Sequence, residues 1–397
     1  MLSDINTSIL SFADLVFLTW VDYDKNKQTH NNKKGQVHTM FRKIAEGDVF
    51  CNEALAAAGP RVARLPGGGL ACTFSVHRAG GTNDFFPMIA FSEDGIHWSE
   101  SKPVWPELVD KQSIFASIRP TADGRVSLAG KVWPIHELGE SFWSSEIGGM
   151  LENQLMFSIS EDGKTFPAPT AVDLPYYGSA EQPGGMLVDA DGTMTMIYAP
   201  YPAIEQRGET NTCQLVMMRS TDGGKTFEPS TFAHAEPPCV YGESWIVRLT
   251  DGRLMVSTWQ NASTDAPDQY CLSSDNGKTF TKPAAMPFRG QTTALEPWHD
   301  NTVLIVYNQR KEEPTGVWLA LAKPDENGFH MLENEPVWQT LITTQSGKSG
   351  DFENFTDFAF GEPHVCVLED DTLLVTLWYR QGNRKGIRYV QLKREEN

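Results

Sequence analysis

The sequence predicts an all-β chain, a six-bladed β-propeller of four-stranded antiparallel blades, and two repeats carry that prediction. The first is an aspartate turn. Ser220-Thr-Asp-Gly-Gly-Lys-Thr-Phe227 recurs in full at Ser273–Phe280, and one residue shorter at Ser92–Trp98 and Ser160–Phe166. A weaker echo stands at Pro324–Phe329. In each copy the Ser and Asp oxygens can cap turn N–H groups, Gly supplies the positive φ, and the aromatic plugs the space between sheets. The second repeat is a strand–turn–strand unit with turn positions at 68, 124, 192, 252, 301 and 371, spaced 49 to 70 residues apart. Six such units at that period describe radially arranged sheets.

Taken in order, residues 8–22 are rich in strand formers and are expected to help close the ring; 23–36 read as a polar loop. The blades are expected near 37–100, 101–166, 167–227, 228–280, 281–330 and 331–397, within one domain spanning 1–397. The second blade carries an insertion from Trp133 to Gln154, and the Gly/Ser-rich stretch 343–355 reads as a rim loop.

Of 397 residues, 33 are Lys or Arg and 51 are Asp or Glu, a net charge of −18 that disfavours nucleic acid and anionic membranes as partners. The six cysteines have no CxxC pairing and no metal-ligand spacing, so neither metal nor cofactor is expected. No apolar run is long enough for a membrane helix, and no signal peptide is visible. The expected location is cytoplasmic, or secreted or periplasmic if a leader has been removed.

The repeat register also says where chemistry gathers, because the leading ends of innermost strands surround a central pocket. Eight residues before the turn aspartate stand Glu243 (turn Asp251) and Glu362 (turn Asp370); with a two-residue slip the third blade offers Glu181. Three gathered carboxylates require a proton or a nearby cation. Trp245, Trp259, Tyr201 and Trp298 are candidates to stack on sugar faces, and His77, His299 and His364 lie near strand ends.

The aspartate turns, known as Asp-boxes or BNR repeats, and the six hairpins resemble the sialidase superfamily over most of the chain. The resemblance implies a glycoside hydrolase acting at the chain end on a carbohydrate partner. It makes Asp84 and Glu181 acid/base candidates, Glu243 the nucleophile or activator, Glu362 a further pocket carboxylate and Arg310 a substrate-orienting group. Arg61, Trp259, Tyr201 and His364 are expected to touch substrate. The pattern departs from that of true sialidases: Ala58 and Trp259 stand where two clamp arginines belong, and Glu362 where the nucleophilic tyrosine belongs, although a shifted register would let Arg61 serve as the first arginine. The departures imply a sugar other than sialic acid. A lyase or rhamnosidase-type enzyme using His and Tyr, and a non-catalytic carbohydrate-binding propeller, are the alternatives.

Overall fold

A computed structural model describes residues 40–79, 81–260, 266–325, 328–341 and 358–395. These form six antiparallel sheets of the predicted kind. Blade I is built from Ala56–Arg64, Leu70–His77, Phe86–Ser92 and Lys102–Pro103; blade II from Gln112–Pro120, Val126–Pro134, Gln154–Ser160 and Thr170–Val172. Blade III begins with a broken inner strand, Ser179–Glu181 and Leu187–Val188, followed by Met194–Tyr201, Leu215–Ser220 and Glu228–Phe232. Blade IV is Tyr241–Arg248, Leu254–Gln260, Gln269–Ser273 and Ala284–Ala285; blade V is Gln291–Pro297, Val303–Gln309, Gly316–Asp325 and Gly328–Gln339. Blade VI takes Phe360–Val367, Leu373–Gln381 and Arg384–Arg394 from the C-terminal end and its outer strand, Phe41–Asn52, from the N-terminal side.

That last pairing closes the ring. Residues 41–52 therefore belong to blade VI, not to blade I as the repeat count suggested, while segment 8–22 lies outside the described residues. The other boundaries shift for a related reason: each aspartate turn joins the third strand of a blade to its fourth, so the fourth strand lies beyond the turn. Blade VI makes that connection between the two ends of the chain, and so has no such turn.

The turns form as their chemistry dictates. In blade IV, Ser273 Oγ accepts from Gly277 N at 2.8 Å and Asp275 Oδ1 accepts from Thr279 N at 2.8 Å. Gly277 holds φ at 81°, a left-handed conformation that favours glycine. The capping donors hold the Asp275 carboxyl down at about 2.

Packing explains why second strands read as continuous apolar runs. Leu70–His77, Met194–Tyr201 and Val303–Gln309 are buried at every position, because each lies in mid-blade with a neighbouring blade on both faces. Five of the six inner strands are interrupted instead, that of blade III by its split and four by register shifts. Register shifts fall between Ala58 and Arg61, Tyr241 and Ser244, Gln291 and Thr293, and Gly361 and His364. Four of the six blades thus carry a bulge at the same end of the inner strand, where it re-aims side chains towards the axis.

The blade II insertion folds into a short hairpin, Trp143–Ser144 with Gly149–Met150. It bridges to blade I through Thr82 and Ser141 and to blade III through Met150 and Ala203. The expected rim loop at 343–355 lies outside the described residues.

Candidate active site

The bulges place Glu243 and Glu362, and the start of the broken blade III strand places Glu181, around one pocket at the bulged end of the axis. Each carboxylate has a different environment. Glu181 accepts from Lys131 Nζ through both oxygens, each at 2.7 Å. The Lys131 ammonium also stands 5.3 Å from the Phe115 ring centre and 5.2 Å from that of Trp133, a cation–π seat that fixes its position.

Glu243 Oε2 accepts from Trp259 Nε1 at 2.7 Å and from Thr292 Oγ1 at 2.6 Å. Those bonds favour its ionised form, but burial and the facing Glu181 and Glu362 outweigh them and push its carboxyl up to about 7. Glu362 sits at a positive φ of 44° and accepts from the Gly59 amide at 2.9 Å. Burial raises its carboxyl, against the pull of Arg61.

Two of these glutamates share a local design. Gly242 precedes Glu243 and Gly361 precedes Glu362; a Cβ at either would lie within 2.5 to 2.7 Å of an indole, Trp259 in one case and Trp378 in the other. In each blade a tryptophan of the second strand lies flat on the glycine and walls the pocket beside the carboxylate. The aromatic–Gly–Glu triplet at 241–243 and 360–362, with a Trp on the next strand, was visible in the sequence as a second signature of the site.

Arg310 lines the same pocket. It donates to Gln291 Oε1 at 2.8 Å and to the Phe360 carbonyl, and its guanidinium lies 4.2 Å from the Phe358 ring centre. Burial lowers it to about 10, which leaves it charged at neutral pH. Tyr201 and Trp259 line the pocket, together with Phe85, Phe115, Trp133 and His77. His77 is held neutral, burial pushing it down to about 4. The insertion hairpin brings Phe142, Trp143 and Met150 over one side.

Three expected site residues lie elsewhere. Asp84 is 3% exposed and does not line the pocket. Its carboxylate accepts from Arg78 Nη1 at 2.9 Å and from Thr82 Oγ1 at 2.6 Å, an ion pair set apart from the pocket lining. Arg61 is wholly buried beneath the pocket floor, 5.0 Å from the Trp245 ring centre, and donates to the carbonyls of Pro60 and Glu362. The bulge between Ala58 and Arg61 turns this side chain under the floor, where its charge balances the glutamates above. His364 is also buried; its Nδ1 accepts from the Val62 amide at 3.3 Å and its ring packs against Trp245. Sequence reasoning missed Lys131 and Thr292. Lys131 is on a second strand, outside the position compared between blades, and Thr292 occupies a bulge with φ of 50°.

Among the described residues no group of three or more potential ligands is arranged to hold a metal ion. No helix among them is long and apolar enough to cross a membrane.

No family model matches this chain, and no curated protein matches it in sequence. Solved structures do. A protein of unknown function from Dyadobacter fermentans DSM 18053 is 18% identical with a TM-score of 0.68, over 90% of this chain and 100% of the other. The Hadza microbial sialidase Hz136 is 14% identical with a TM-score of 0.60, over 85% and 66%. The NanB sialidase of Streptococcus pneumoniae is 12% identical with a TM-score of 0.59, over 93% and 72%. What the chain shares with these proteins is the six-bladed propeller fold.

Proposed function

We propose that this protein is a glycoside hydrolase that removes a terminal sugar other than sialic acid from a glycan. The observation that carries the proposal is the convergence of Glu181, Glu243 and Glu362 in one aromatic-walled pocket, in three unlike electrostatic settings. Glycoside hydrolysis needs one carboxyl that is protonated near neutral pH and another that is ionised. Glu243, held near 7, supplies the first and donates to the leaving oxygen. Glu181, paired with Lys131, supplies the second. Glu362 faces both and steadies positive charge developing on the sugar ring.

The rest of the pocket favours a neutral sugar. Both terminal nitrogens of Arg310 are already engaged by Gln291 and Phe360, which weakens it as a bidentate clamp on a carboxylate; Arg380 is the other arginine lining the pocket. Trp259, Trp378 and Tyr201 offer faces for stacking on a sugar ring. The blade II hairpin walls one side, which suits a chain end. Substrate, linkage and stereochemical course belong to the test.

His77 and Tyr201 in the same pocket support a second reading, a lyase with a neutral histidine as base. Incubation with a panel of natural oligosaccharides and aryl glycosides, with product analysis by mass spectrometry, separates the two. The hydrolase predicts one free sugar and uptake of water. An unsaturated product absorbing in the ultraviolet would replace it with the lyase. Glycan binding without any product would leave a carbohydrate-binding propeller.

A further inference from the structure

Cys213 and Cys239 are 26 residues apart in sequence and meet at the blade III to blade IV junction. Cys213 Sγ donates to the Cys239 carbonyl oxygen at 3.2 Å, which holds the two residues side by side. The backbones around them are already stitched. Ala235 N donates to Cys213 O at 2.9 Å, Tyr241 N to Thr212 O at 3.2 Å, and Thr212 Oγ1 to Cys239 O at 2.7 Å. All six cysteines are free thiols. Cys213 is half-buried and Cys239 is 3% exposed.

We infer that Cys213 and Cys239 form a redox couple that closes to a disulfide and clamps the segment leading into Glu243. The segments between them are the two outer strands of blade III, Leu215–Ser220 and Glu228–Phe232, so the bond closes that hairpin into a covalent loop. Cys239 is four residues before Glu243, on the stretch that turns from the blade edge into the inner strand of blade IV. Reversal of the bond therefore alters the freedom of a pocket wall without touching the pocket.

The oxidant is a small-molecule disulfide. The accessible Cys213 thiolate attacks one of its sulfurs, forming a mixed disulfide and releasing one thiol. The Cys239 sulfur, after losing its proton, then displaces the second. The balance is two protein thiols and one disulfide in, one protein disulfide and two small thiols out. Burial pushes the Cys239 thiol up to about 12, so the second displacement is the slow step.

The test uses the whole protein and does not depend on its having an enzymatic activity. Native protein is equilibrated with oxidised glutathione, digested without reduction and mapped by mass spectrometry, with hydrogen exchange followed across 235–243. The expected result is one cross-linked Cys213–Cys239 peptide, lighter by two hydrogens, reversed by dithiothreitol and missing from Cys213→Ser. Exchange across 235–243 slows on oxidation in the native chain and not in Cys213→Ser. A stable glutathione adduct on Cys213 with Cys239 still a free thiol would overturn the inference. So would a cross-link formed only in denaturant, and because both readings come from the native chain, neither rests on how well the variant folds. If the disulfide forms, turnover on a hydrolysed glycan is expected to differ between the reduced and oxidised protein. A failed hydrolase assignment would leave the cross-link itself unaffected.

Discussion

Glu243 is the residue on which burial, neighbouring charge and function meet. Its carboxyl ordinarily titrates near 4.5 and here is pushed to about 7, first by burial and then by Glu181 and Glu362. In the window between those values the folded chain holds a proton that the unfolded chain has lost, so stability falls as pH rises through it. The contribution is complete below about 4.5, where both states are protonated, and gone above about 7. Replacing Glu243 with Gln removes this titration. The variant should therefore match the wild type near pH 4 and exceed it at pH 8 by up to about 3 kcal/mol, measured by urea unfolding at both pH values. A wild-type advantage at pH 8 would mean that the hydrogen bonds from Trp259 and Thr292 outweigh the crowding of charge. Lys131 belongs to the same balance. Exchange for Met leaves the half-buried Glu181 without its cation, and the acid limb of the pH–rate profile should move to higher pH, whereas Arg should largely preserve it.

At the scale of the strand, the inner-strand bulges decide which side chains reach the axis. Gly361 shows how little room that geometry leaves, since a Cβ there would meet the Trp378 indole at 2.7 Å. Gly361→Ala should push the indole off the pocket wall and cost about 1–3 kcal/mol of stability, read as a lower denaturant midpoint with loss of ligand stacking. The repeat made the blades legible because every hairpin and aspartate turn is set by residues adjacent in sequence. It made Glu243 and Glu362 legible because both stand at one offset from their turns. Asp84 and Arg61 lie off the pocket lining for a different reason. Asp84 finds Arg78 and Thr82 across a loop, and a two-residue bulge rotates Arg61 under the floor; neither partner choice is written in a spacing. Lys131 escaped because its partner, Glu181, belongs to another blade, 50 residues away.

For the whole molecule, the ring depends on one pairing between distant parts of the chain, Phe41–Asn52 against Arg384–Arg394. Gly386 faces this seam, and a Cβ there would lie 2.1 Å from the Phe50 carbonyl. Gly386→Val should spread the closing strand from its neighbour and lower stability by about 1–3 kcal/mol or more, seen as a fall in thermal midpoint and faster hydrogen exchange in blade VI before the other blades. The same ring brings three glutamates from blades III, IV and VI to one axis, and their joint action in glycan cleavage is the central claim. Its most direct measurement is the turnover of Glu181→Gln, Glu243→Gln and Glu362→Gln beside the wild type, on the glycan that the panel identifies, with folding and glycan binding followed in parallel. Each variant should stay folded and bind the glycan while losing roughly 10²–10⁴-fold in kcat. Full turnover in all three folded variants, or no turnover by the wild type on any member of the panel, would contradict the account.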